Sequence, residues 1–404
     1  MLNTTNKNKL VSLLFSIPIL WMATGMLWDG DGDMRLVPIV LLVALTSLFL
    51  FKFDTIKDNF NSNFWIKILL VSSCFGIFAY LYYGFDSREL RATITILLVL
   101  LVIPSYYYRR GSVQWFLLVC SVCCSIYGYY FQYLNSSTRS EWPINAIPFA
   151  TISGLILIIS INLLLISKCR IKKILILMPS IIFSLNGVLF SQSRGPLISV
   201  VIVLFISIFT FFLLKNKRSA FFSILAFSIL SLSLIQIPLV NQRLNYTYNE
   251  LNTIKNGNFD TSIGVRFQMQ NIAFELWKQK PIFGYGKNIK REFARLEKKK
   301  IITPKVYRLI SMTFHNGYLD KFVLYGIPGG LIFLTFLFYP IYLSRQYSLK
   351  EGSALLWAPA LFMILCNLTD APFINAQAAI YYMFIIGAMS MMLKNEKEQR
   401  LENV

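Results

Sequence analysis

Residues 145–167 read NAIPFATISGLILIISINLLLIS, 23 positions without one charged side chain. At about 1.5 Å of rise per residue, a helix of that length crosses a hydrocarbon core of about 30 Å. Similar runs recur along the whole chain, at about 10–28, 36–53, 64–84, 91–108, 113–134, 174–192, 196–214, 219–240, 313–343, 354–369 and 376–393. Together they make twelve expected transmembrane helices, hence an all-α, polytopic integral membrane protein. The composition agrees: 56% of residues are hydrophobic, 14% are charged and the mean hydropathy is +0.57, outside the range of soluble globular chains. The first run follows Lys7 and Lys9, but it is long, ends at Trp28-Asp29 and lacks a small-residue cleavage pattern. It is expected to be an uncleaved span.

The net charge of +20 would suggest nucleic acid in a soluble protein. Here the basic residues mostly flank apolar runs, where lipid headgroups and topology account for them, so no nucleic-acid partner is expected. With a cytoplasmic N-terminus the inner segments collect 19 Lys and Arg, including Lys168 and Arg170, against six in the short outer segments: Arg35, Arg88, Arg91, Arg139, Arg194 and Lys321. Both termini are therefore expected in the cytoplasm. The chain divides into 1–240 with nine spans, a long loop 241–312, and 313–404 with three spans and a cytoplasmic tail. The loop holds 14 basic and five acidic residues, a net charge of +9. Loops of that length escape the positive-inside bias, so its charge leaves the topology standing and favours anionic partners on the outer face. Within it Val265, Met269, Ile272, Ala273, Leu276 and Trp277 form the stripe of an amphipathic helix, lying on the membrane or capping the bundle. Ser262 is the expected N-cap, Pro281 the stop and Gly284-Tyr285-Gly286 the turn.

One histidine occurs in the chain, His315, within Thr313-Phe314-His315-Asn316-Gly317-Tyr318 where the loop re-enters the membrane. A lone histidine is most often structural. This one stands at the outer boundary after a basic loop, beside Asn316 and Tyr318 that could orient it, and imidazole alone titrates unperturbed near neutrality. Arg194, in Ser191-Gln192-Ser193-Arg194-Gly195-Pro196, occupies an outer turn between two apolar runs. It is either an interfacial anchor or a phosphate ligand, since guanidinium keeps its charge and grips phosphate oxygens with two donors. Arg266 falls in the first turn of the loop helix, where a cation is disfavoured unless an anion lies between it and the helix dipole. The two arginines could together neutralise a diphosphate.

Other outer charges admit both readings. Asp29, Asp31 and Asp33 with Arg35 resemble a calcium loop but lack its length and terminal glutamate, so a solvated turn is favoured. Arg88, Glu89 and Arg91 could reach the same cleft or pair at a helix end. Asp370, after Asn367-Leu368-Thr369, is a possible partner for His315 or an arginine. Lys298, Lys299 and Lys300 form either a solvated face or a contact for phosphorylated lipid. The six cysteines, at 74, 120, 123, 124, 169 and 366, lie in or beside apolar runs and are read as packing residues, with no metal site. There is no Walker loop, zinc-type histidine pair or nucleophile elbow, nor a cytoplasmic domain for a nucleotide sugar, so any transferred group must arrive already activated.

These residues carry a resemblance. Ser193-Arg194-Gly195 at a span junction, Gly264-Val265-Arg266 leading through Trp277 to Pro281-Ile282-Phe283-Gly284-Tyr285-Gly286, and His315-Asn316 with Tyr318 resemble the O-antigen ligase family. Its loop architecture is shared with O-antigen polymerases and bacterial O-oligosaccharyltransferases. The resemblance implies a transferase of the bacterial inner membrane with a periplasmic site. It would move glycan from undecaprenyl diphosphate to a sugar hydroxyl of lipid A-core, completing lipopolysaccharide, with neither metal nor cofactor. It also implies His315 as the essential histidine and general base, with Arg194 and Arg266 as the essential arginines on the diphosphate. Direct displacement would invert the anomeric carbon. An O-antigen polymerase would use the same donor and a growing lipid-linked chain as acceptor, whereas the His-Asn motif favours the ligase. A polysaccharide transporter or flippase would place charges at the midplane, often in repeats; none is visible.

Overall fold

The computed structural model describes the chain except residues 1–3, 85–87, 136–137, 140, 168–170, 215 and 403–404. Lys168, Cys169 and Arg170 thus lie outside the described residues. Every regular element among the rest is helical. The first part comprises α1 (Thr4–Ala23), α2 (Gly25–Trp28), α3 (Gly32–Phe51), α4 (Asp54–Ser62), α5 (Phe64–Tyr83), α6 (Arg88–Val102), α7 (Arg110–Tyr129), α8 (Ala146–Ile166), α9 (Ile171–Ser191), α10 (Arg194–Leu213) and α11 (Lys217–Ile235). Then come α12 (Pro238–Lys255), α13 (Ser262–Gln279), α14 (Ile289–Lys298) and α15 (Pro304–Ile310), followed by α16 (Gly317–Ser344), α17 (Ala354–Thr369) and α18 (Ala376–Glu402).

Nine helical segments among the described residues are long and apolar enough to cross a membrane, so the protein is of the multi-pass class. The other three expected runs also have helices. α6 is 15 residues long, because the run ends before Pro104, and α17 is a 16-residue apolar helix. α11 ends at Ile235, and Pro238 opens α12 in its place.

α18 occupies the centre of the bundle: its sequence is apolar on all faces through Leu393, and that whole stretch is buried. Trp65 of α5 donates to the Met383 carbonyl of α18 at 3.0 Å, and Tyr382 of α18 donates to Phe336 of α16 at 2.9 Å. Both polar groups thus find partners on neighbouring helices. Cys120, Cys124 and Cys366 are buried in this apolar core. The start of α1 and the end of α18 share one end of the molecule, where Phe15 packs on Tyr107 and Arg110 bonds Glu396. The N-termini of α10 and α16 and the C-terminus of α17 meet at the other end.

The long loop carries its own core. Val265, Met269, Ala273 and Leu276 of α13 pack with Ile289 and Phe293 of α14, Val306 and Ile310 of α15, and Phe314 and Val323. α13 therefore caps the bundle through α16 rather than lying free. Its N-cap is Thr261, whose side chain accepts from Gly264 N at 3.0 Å; Ser262, the expected cap, is the first helical residue. Both candidates carry a hydroxyl, and the extended backbone at Thr261 decides between them. The turn 281–286 docks into a break in α16 at Gly326 (φ 65°), where Ile327 N donates to Pro281 O and Tyr285 N to Val323 O, both at 2.9 Å. A Cβ at Gly326 would come within 2.0 Å of the Ile282 carbonyl oxygen, so only glycine permits the crossing.

Candidate functional site

Three helix ends converge on the turn after α17. Gly195 sets the first turn of α10 against Thr369, whose Oγ1 would be 2.4 Å from an added Cβ; Gly317 does the same for α16 against Asn367, at 1.9 Å. Gly317 N donates to Asp370 O at 3.0 Å, locking the start of α16 to the end of α17. These close approaches bring Arg194 and His315, 121 positions apart in sequence, to the same turn.

His315 is held before α16 in the left-handed region (φ 51°), an uncommon conformation for a side-chain-bearing residue. Its N–H donates to Thr313 Oγ1 at 3.0 Å, while Thr313 Oγ1 and Phe314 N donate to the buried Asp320 carboxylate at 2.7 and 3.0 Å. The backbone is thereby fixed independently of the ring. The ring Nδ1 lies 3.0 Å from Asp370 Oδ1, and that oxygen also accepts from Ala371 N at 2.8 Å. Burial would raise the Asp370 carboxyl, but the His315 hydrogen bond, the His315 ring charge and the Arg266 guanidinium outweigh it and hold it below the usual carboxylate range. An ionised Asp370 accepts only, so Nδ1 is the donor, and in the neutral form of the ring Nε2 carries the lone pair.

Arg266 reaches the same turn from α13, its Nη1 donating to Thr369 O at 3.2 Å. Arg194 pairs with Glu250 of α12 through Nη1 at 3.0 Å and Nη2 at 3.4 Å. Two further arginines, absent from the sequence candidates as ligands, complete the group. Arg139, between α7 and α8, donates through Nη2 to Ser193 Oγ at 2.8 Å. Arg243 of α12 donates through Nε and Nη2 to Gln192 Oε1 at 3.1 and 2.8 Å, and Gln192 is itself at positive φ, 52°. Burial, and then Arg243, Arg194 and Arg266, push the Arg139 guanidinium down to about 10, so it stays protonated near neutrality. Burial and Arg194 lower Arg243 in the same way. The buried Nε of Arg139 has no hydrogen-bond partner in the protein. Four guanidiniums against Glu250 and Asp370, with one buried donor left over, give this region a net positive charge. An apolar crevice of about 570 Å³ runs from Arg194 and Arg243 between α9, α10 and α12, past Leu197, Ile198 and Leu244.

The remaining candidates sit elsewhere. Asn316 caps α16, its Oδ1 accepting from Tyr318 N and Leu319 N, both at 3.1 Å, and the Tyr318 hydroxyl donates to Ile364 O at 3.0 Å. Neither makes the bond that orients the His315 ring, which falls to Asp370. Arg35, Arg88 and Arg91 reach the acidic turn before α3 and its first residues: Arg91 pairs with Asp33 at 2.7 Å, Arg35 with Asp29 at 2.8 Å, and Arg88 approaches Asp31 at 3.9 Å. That turn is thus tied by arginines to α6. Among the described residues no three His, Cys, Asp or Glu side chains gather as a metal-binding group.

Residues 179–334, from within α9 to within α16, match the family model described as O-Antigen ligase. Arg194, Arg243, Arg266 and His315 lie inside the match, and Arg139 and Asp370 outside it. The chain is also 28% identical over 200 residues to a Haemophilus influenzae protein described as uncharacterized, an alignment covering 49% of each chain. It thus spans about half the length of that curated relative. Over residues 179–334, about two-fifths of its length, the chain is similar to the O-antigen ligase family.

Proposed function

We propose that the protein transfers a glycan from undecaprenyl diphosphate to a sugar hydroxyl of lipid A-core at the periplasmic face of the inner membrane, with both termini in the cytoplasm. The observation that carries this reading is the His315–Asp370 pair at 3.0 Å on the turn whose Thr369 carbonyl binds Arg266. A base and an anion site then share one loop. His315 Nε2 takes the proton of the acceptor hydroxyl as its oxygen attacks the anomeric carbon, and Asp370 stabilises the imidazolium that forms. The glycosidic bond to the diphosphate breaks in the same displacement, with inversion. Arg194, Arg266, Arg139 and Arg243 take up the charge on the departing diphosphate, and Glu250 yields Arg194 to it. The crevice beside Arg194 and Arg243 suits the isoprenoid chain of the donor.

The test is reconstitution of the purified full-length protein with undecaprenyl-diphosphate-linked glycan and lipid A-core lacking O-antigen, the products being separated by size. A glycan block moved onto lipid A-core by the wild type, and abolished in His315→Ala that inserts normally, is the expected result. Chain growth on the undecaprenyl carrier would make the protein a polymerase, and absence of any covalent product would overturn the transferase reading.

A further inference from the structure

A second crevice lies across α16 from the arginines. It opens between α5, α6 and α16 and is apolar through Phe75, Ile332, Phe333 and Phe336. α5 and α16, which form two of its walls, are long and apolar enough to cross a membrane. Tyr80 of α5, 47% exposed, is among its lining residues, so the crevice reaches the outer surface of the helix bundle. At its head the ammonium of Lys321 is paired with Glu89 of α6 and lies 5.3 and 5.9 Å from the Tyr325 and Phe333 ring centroids. Lys321 is buried, whereas the Glu89 side chain that pairs with it is 37% exposed. The inner wall includes Phe373, three residues beyond Asp370 on the same turn.

We propose that this crevice seats the acceptor: one acyl chain of a phosphorylated glycolipid enters between α5 and α16, and a phosphate displaces Glu89 from Lys321. The inference rests on the transferase reading for the acceptor's role. An enzyme joining two membrane lipids must admit both from the bilayer to a single base. The crevice beside Arg194 and Arg243 has the paired guanidinium forks that suit a diphosphate, whereas the second offers a single ammonium, suited to a phosphomonoester. Phe373 links its wall to the His315–Asp370 turn, so a lipid seated there would hold its sugars near Nε2.

The probe is a phosphorylated, multiply acylated glycolipid bearing a diazirine on one acyl chain, photolysed with the full-length protein in nanodiscs. Label is expected on peptides within 72–80 and 329–336, to fall about tenfold in Ser72→Phe, which fills the crevice, and to resist competition by undecaprenyl phosphate. The paired change Glu89→Gln with Lys321→Met removes the head charge without filling the space. It should lose labelling by the phosphorylated probe while keeping that of its dephosphorylated form. In transfer assays Ser72→Phe should raise the acceptor KM about tenfold with the donor KM unchanged. Label spread evenly over the lipid-facing surface, competition by undecaprenyl phosphate, or equal loss of both probes in the paired variant would overturn the proposal. Labelling does not require turnover. Specific label in a protein that transfers nothing would therefore sink the transferase reading alone, and normal transfer with no crevice label would sink this one alone.

Discussion

Replacing Asp370 by Asn removes one charge while keeping the shape around it. Asp370 Oδ1 serves two donors, His315 Nδ1 at 3.0 Å and Ala371 N at 2.8 Å, so the amide must keep its oxygen in that place. The imidazole then retains its Nδ1–H donor and its orientation, and only the stabilisation of the imidazolium is lost. A hydrogen bond to a charged partner contributes about 1.5–3 kcal/mol net, and about 1.4 kcal/mol is tenfold in rate, so kcat should fall roughly 10- to 150-fold. Donor and acceptor KM should change little, because neither substrate need touch Asp370. Single-turnover transfer with preloaded donor isolates the chemical step. A well-inserted Asp370→Asn protein with kcat within about threefold of the wild type would refute the assigned roles of His315 and Asp370 together. The same carboxylate gives a second readout. Its folded pKa lies below its ordinary value, so its contribution to stability is fully present above the unfolded value of about 3.9 and is lost as pH falls through the folded one. The thermal stability advantage of the wild type over Asp370→Asn should therefore hold at pH 6 and shrink progressively below about pH 4. An advantage that grew on acidification would contradict the ion-pair account.

Three other changes test the surroundings. Arg139→Gln should raise the donor KM about tenfold, since its unpartnered Nε is the donor most available to an anion; an unchanged KM in a folded variant would remove it from the site. Glu250→Gln should lower the donor KM about threefold by removing the anion's competitor for Arg194, and should lower the melting temperature without donor more than with it. A melting curve indifferent to donor would argue that Glu250 only anchors α12. Gly317→Ala places a methyl where Asn367 Oδ1 stands at 1.9 Å. The overpacking should cost about 1–3 kcal/mol in stability and reduce kcat at least about tenfold through a wider His315–Asp370 gap, while wild-type kinetics would show that the approach of α16 to α17 is dispensable.

What the sequence discloses, and what it hides, follows from the range of each constraint. The membrane imposes length and apolarity on single uninterrupted segments, so the spans are legible locally, and proline marks where α6 and α11 stop short. The stripe of α13 is legible for the same reason. α14 also has one, Ile289, Phe293 and Leu296 at helical spacing, masked by the lysine run that follows. His315, Arg194, Arg266 and Asp370 stand out because each is unusual for its position: a lone imidazole, a cation between apolar runs, a cation at a helix start, a carboxylate at the membrane edge. Arg139 and Arg243 are ordinary outer charges in sequence, and Arg139 lies 54 positions from the Ser193 it binds. For Arg243 a faint signal exists, since Arg243, Thr247 and Glu250 repeat at i, i+4 and i+7 and so share one polar face of α12. A cluster of arginines assembled from separate elements has no local pattern of its own. Its local trace is the backbone that lets the elements meet, and that trace is present: Gly195 follows Arg194, and Gly317 follows His315 by two residues. A side chain at either glycine would push its helix off α17, so the two glycines place Arg194 and His315 on one turn.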